Sequence, residues 1–117
     1  MPYKRILETL RAGVDGARTA LLLDSQGELV VGVGALGERE RLVGAYSGIT
    51  LGMVLRSTER NRSGQIDHIL WRHEQGSVVI CPLKDGYYLA LFLGPEALVA
   101  AGVRRAQEAR APLDEEI

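Results

Sequence analysis

The stretch from Arg41 to Arg60, RLVGAYSGITLGMVLRSTER, constrains the fold of this chain more than any other. It contains no proline and is long enough for about five helical turns. At about 100° per residue, Leu42, Val43, Tyr46, Ile49, Met53 and Val54 gather on one side of such a helix. Gly44, Gly48, Gly52, Ala45, Leu51 and Leu55 gather on the other. A surface helix of a globular domain carries a single apolar stripe and a polar back. Here one side is bulky and the opposite side is small, so both need cover.

A glycine inside a helix costs about 1 kcal/mol relative to alanine. Three glycines spaced four residues apart form a line along which another backbone can approach closely, as small-xxx-small faces do. Two arrangements satisfy the pattern. The glycine line can meet the same helix of a second copy about a two-fold axis. Alternatively, it can seat the helix on the chain's own sheet and turn the bulky side to a partner. The first is the expectation. A membrane span is disfavoured because Arg41, Ser47, Thr50, Arg56 and Glu59 interrupt the apolar character well short of the ~20 residues required.

A chain of 117 residues makes one domain with a core of its own. Its formal charge of -1 argues against nucleic acid as the main partner, which would favour a basic surface. The single cysteine, Cys81, excludes an internal disulfide. Met1 to Leu10 is amphipathic and lacks the apolar core of a signal peptide, so a reducing, cytoplasmic setting is expected.

Residues Pro2 to Ala12 read as a short helix, with Tyr3, Ile6, Leu7 and Leu10 at helical spacing and Gly13 just past the end. Arg18–Leu23 and Glu28–Val33 read as strands joined by the turn Asp24–Gly27. After the long helix, Gln65–His73 is a third strand, polar enough to lie at an edge. Val78–Leu83 is a fourth, with Pro82 near its end. The turn Lys84-Asp85-Gly86 leads into a fifth strand, Tyr87–Leu93. Gly94-Pro95-Glu96 opens a final helix, and 111–117 reads as a short, mobile acidic tail beyond a domain of residues 1–110. The order is α-β-β-α-β-β-β-α, an α+β chain.

The residues offer little for catalysis. His68 and His73 lie five apart on the third strand, so the period of two points them to opposite faces and rules out a shared metal face. Cys81 sits in a buried-type run with no neighbouring base to activate it. Gly32-Val33-Gly34 with Gly37 lacks both the GxGxxG spacing and the lysine of a phosphate loop. Arg56, Arg60 and Arg62 close the long helix, where positive charge suits the dipole and where an acidic partner surface could dock. Trp71 beside Arg72 is an anchor type common at interfaces. No enzyme, cofactor site or metal site emerges.

The run LLLDSQGELVVGVG at Leu21–Gly34, the small-residue helix, VVICPL with its Lys84-Asp85-Gly86 turn, and YYLALFL before the last helix resemble the Roadblock / dynein light-chain family. The resemblance covers about Ile6 to Ala109 and rests on pattern and order rather than on a catalytic motif. It implies a five-stranded antiparallel sheet with the long helix on one face and the terminal helices on the other. It also implies a homodimer through the central helix and third strand, with Gly44, Gly48, Leu51, Gly52, Leu55, Ile69 and Trp71 at the interface. Arg56, Arg60, Arg62 and Arg72 are then candidate contacts for a further partner. Bacterial and archaeal members resemble regulators or scaffolds of Ras-like small GTPases, some of which stimulate hydrolysis without contributing an arginine. The resemblance thus implies a non-enzymatic signalling module with no cofactor. The alternatives are a PAS-like small-molecule sensor, which needs a cavity between sheet and helix, a generic dimerisation module, and a weak hydrolase built on Cys81.

Overall fold

The computed structural model describes residues 2–61 and 64–117. Helix α1 (Pro2–Ala12) leads into a hairpin of β1 (Ala17–Leu23) and β2 (Leu29–Gly34). The long helix α2 (Glu38–Asn61) follows, then β3 (Ile69–His73), β4 (Gly76–Pro82), β5 (Tyr88–Leu93) and α3 (Val99–Glu116). The strands form one antiparallel sheet in the order β2-β1-β5-β4-β3. The expected α+β architecture and element order are therefore present.

Local chemistry explains the turns. The Asp24 carboxylate accepts the amide hydrogens of Gln26 and Glu28 at 2.9 and 3.0 Å, and Gly27 supplies the positive φ of 81° that closes the hairpin. The apolar runs in β1, β4 and β5 mark strands covered on both sides. By alternation, Ala20, Leu22, Val79, Cys81, Leu89 and Leu91 face α1 and α3, where they bury Leu7, Leu10, Ala106 and Leu113. Leu21, Leu23, Val78, Ile80, Tyr88 and Ala90 face α2 and bury Leu51.

Three boundaries depart from expectation. Strand β3 begins at Ile69 rather than Gln65. The residues before it are drawn to α3 instead: His68 Nδ1 lies 3.4 Å from Gln107 Nε2, and Arg110 reaches the carbonyl of Asp67 at 3.4 Å. Helix α3 starts at Val99, not at Pro95: the Gly94 carbonyl closes a turn with the Ala97 amide at 3.1 Å, and Leu98 is extended before its carbonyl takes the Gly102 amide at 3.1 Å. The acidic end is helix rather than a mobile tail. Leu113 is fully buried, the Asp114 carboxylate accepts the Lys84 amide at 2.8 Å, and the Tyr3 hydroxyl donates to the Glu116 carbonyl.

Candidate functional site

The long helix settles the choice between its two sides. A Cβ on Gly44 would meet the methyls of Leu21 and Leu23 at 3.2 Å, and one on Gly48 would lie 2.2 Å from the Tyr88 hydroxyl oxygen. The line through Gly44 and Gly48 is therefore pressed onto the chain's own sheet. Close approach is what the glycines provide, and Tyr88 uses it: its hydroxyl passes beneath Gly48 and donates to the Gly44 carbonyl at 2.8 Å. Burial, followed by repulsion from Asp24, pushes the Tyr88 pKa up to about 12, which keeps the hydroxyl a donor. Leu51, 3% exposed, completes the inner face, and Leu55 packs beside it.

This corrects the expectation that the glycine line is the open side. Gly44, Gly48 and Leu51 are turned inward, and the bulky side faces out. Leu42, Tyr46, Ile49 and Met53, at i, i+4, i+7 and i+11, are 48%, 66%, 62% and 60% exposed. Gly52 lies on the flank, where the guanidinium of Arg56 covers it: a Cβ there would meet Arg56 Nη1 at 3.3 Å. Together they form a row of large apolar side chains along the outer side of α2.

Strand β3 is an outer strand of the described sheet on the same side. Ile69 and Trp71 lie opposite Ile80 and Val78, which face α2. Ile69 packs against that core, whereas Trp71 stays 41% exposed. Arg72 lies opposite Ser77 and alternates to the other face of the sheet, so it does not join Arg56 and Arg60, which are exposed on α2. The expected role of Arg62 falls outside the described residues.

The remaining candidates are separated. His73 Nδ1 accepts the Gln75 amide hydrogen at 3.3 Å, while His68 lies against α3. Among the described residues no group of three or more histidine, cysteine, aspartate or glutamate side chains is placed to hold a metal ion. Cys81 is fully buried, and burial, countered by Arg110 and aided by Asp67, pushes its thiol up to about 11, so it is not a thiolate at neutral pH. Two of the spaces lined by α2 also border β1. One, of about 410 Å³, is a surface cleft over Leu21, Leu23 and Leu29. The other, of about 80 Å³, sits at the start of α2 among polar side chains of which the sequence singled out His73 alone. Among the described residues, no helix is long and apolar enough to cross a membrane.

No family model matches the chain, and no curated protein matches its sequence. Its fold, however, is shared with solved structures over nearly the full length. A Roadblock/LC7 domain from Streptomyces avermitilis superposes with a TM-score of 0.84 at 15% identity, covering 96% of this chain and 94% of that one. MglB of Myxococcus xanthus gives a TM-score of 0.83 at 11% identity over 96% and 91%. The gliding protein MglB of Thermus thermophilus gives 0.79 at 21% identity over 99% and 93%. The chain thus has the Roadblock/LC7 fold.

Proposed function

We propose that the chain is a non-enzymatic regulator or scaffold of a Ras-like small GTPase that works as a homodimer. The observation that carries this reading is the apolar stripe Leu42, Tyr46, Ile49 and Met53, open on the outer face of α2 while the glycine side is seated on the sheet. A two-fold contact covers that stripe with its own copy and pairs the outer strand β3, with Trp71 beside it, to form a sheet that continues across two subunits. An outer strand left open invites indiscriminate pairing, and a two-fold partner removes the hazard. In this arrangement Gly44, Gly48 and Leu51 serve the interface indirectly, by holding α2 at the height from which its bulky side projects. Arg56 and Arg60, at the far end of the helix, are then placed to meet an acidic surface of the GTPase. The fold and its likeness to MglB structures support a signalling role in the cytoplasm, with stimulation of GTP hydrolysis as one form that regulation could take.

The test is binding of the purified chain to Ras-like GTPases of the same organism, loaded in parallel with GDP or with a non-hydrolysable GTP analogue. Tighter binding to the analogue-loaded form is the expected result. Equal absence of binding in both states would overturn the GTPase assignment. Sedimentation of the chain alone tests the dimer separately.

A further inference from the structure

The space at the start of α2 has the composition of a ligand pocket. It is a surface pocket where β1 and β4 begin and β3 and β5 end, of about 80 Å³, room for several water molecules or one small ion. Four polar side chains with donors to spare come to it from three separate elements and a turn. Arg18 comes from β1, Arg39 from the first turn of α2, His73 from the end of β3 and Gln75 from the β3–β4 turn.

Their mutual bonds occupy acceptors and leave donors free. Arg39 Nη1 donates to Gln75 Oε1, which occupies the acceptor of that amide and leaves its N–H groups to give. Gln75 in turn donates its backbone hydrogen to His73 Nδ1, so the ring hydrogen sits on Nε2. Ser77 borders the cavity from the first residues of β4, but it alternates with Val78 and so sits on the α1 and α3 face of the sheet. The Arg18 guanidinium forms no ion pair among the described residues and lies over Gly94, where a Cβ would meet its Nε at 3.0 Å. The one acid among the lining residues, Glu40, curls back over the helix start, with its carboxylate oxygens 3.3 and 3.6 Å from the place a Gly37 Cβ would occupy.

We propose that this pocket binds a phosphate dianion, either free or as the terminal group of a small phosphate ester. Two guanidinium groups supply charge and planar pairs of donors, which suit a tetrahedral oxyanion better than a neutral ligand. The Gln75 amide and the histidine Nε2 supply neutral donors beside them. The proposal does not depend on the GTPase reading, and its test uses the chain alone.

The experiment is a titration of the full chain with inorganic phosphate, and in parallel with methyl phosphate, at constant ionic strength, read by amide chemical shifts. Saturable shifts confined to His73, Gln75, Ser77 and the start of α2 are expected. Tighter binding of methyl phosphate would assign the ester as the source, and tighter binding of inorganic phosphate the free ion. Arg39→Gln and Arg18→Gln should each weaken binding about tenfold, the loss of one charge-assisted contact, whereas Arg60→Gln should leave it unchanged. An unchanged spectrum elsewhere in each variant establishes that the fold is intact. The proposal is overturned by the absence of saturation, by acetate producing the same shifts, or by folded Arg39→Gln and Arg18→Gln variants that bind as tightly as the parent chain.

Discussion

The two faces of the sheet are built to different standards. On one face, α1 and α3 insert Leu7, Leu10 and Leu113, none more than 5% exposed, into a core with Leu22, Leu89 and Leu91. On the other, α2 contributes Leu51 and a pair of glycines, and turns its largest apolar side chains away from the sheet. The first face is finished by its own chain. The second has a well-seated helix whose outer surface is still apolar, which is the form a subunit takes when part of its burial is supplied by a partner.

The difference can be broken from the finished side first. Leu7→Ala should lower stability by about 2–5 kcal/mol, because a fully buried leucine is lost from a tightly packed site. Denaturant unfolding at fixed protein concentration measures it. Gly48→Ala should cost about 1–3 kcal/mol, since even one methyl collides with the Tyr88 hydroxyl and α2 must lift. If Gly48→Ala is as stable as the parent and still associates, α2 does not rest on the sheet as described.

Tyr88→Phe sharpens the same contact with a smaller change. It deprives the Gly44 carbonyl of its donor and should cost about 1–2 kcal/mol. It should also alter the response to alkali. Both Tyr88 and Cys81 have raised pKa values in the folded chain, so the folded state holds these protons more tightly than the unfolded state does. The associated stability is complete below the unfolded values and is lost as pH rises, between 9.0 and about 11 for Cys81 and between 10.0 and about 12 for Tyr88. Thermal midpoints measured from about pH 8 to 12 should therefore fall, and Tyr88→Phe should remove the later part of the fall only.

The smallest effect on the fold is expected from Ile49→Arg, on the open side of α2. A 62% exposed position should tolerate the change within about 0.5 kcal/mol when the chain is monomeric. The same substitution should abolish self-association in sedimentation. A variant that remains a dimer would remove this stripe from the interface, and one that fails to fold would show that the stripe belongs to the core.

Much of the fold was legible because local chemistry and periodicity agree. The bounds of α1 come from Pro2 and the glycine after Ala12, and the first hairpin from Asp24 and Gly27. Legibility failed where a distant group took over a local choice. The turn from Gly94 to Ala97 is docked on Gly16, through the Gly94 amide and the Ala97 side chain, and the helix promised by Pro95 waits until Val99. Leu113 finds a buried seat, so an acid-rich end that reads as a tail remains helical. The phosphate pocket was the least legible feature. Arg18 and Arg39 come from β1 and α2, far along the chain from His73 and Gln75, and nothing local joins the three segments.

By itself, the sequence determined the order of elements, the strands buried on both sides and a central helix with two unlike apolar sides. These follow from alternation, turn residues and the helical period, all of which act within a few residues. Only the tertiary structure decided which side of α2 is inside. Periodicity defines two sides without assigning either to the core. The assignment depends on Tyr88, forty residues after Gly48 in the chain, whose ring and hydroxyl fill the space that a glycine alone leaves open.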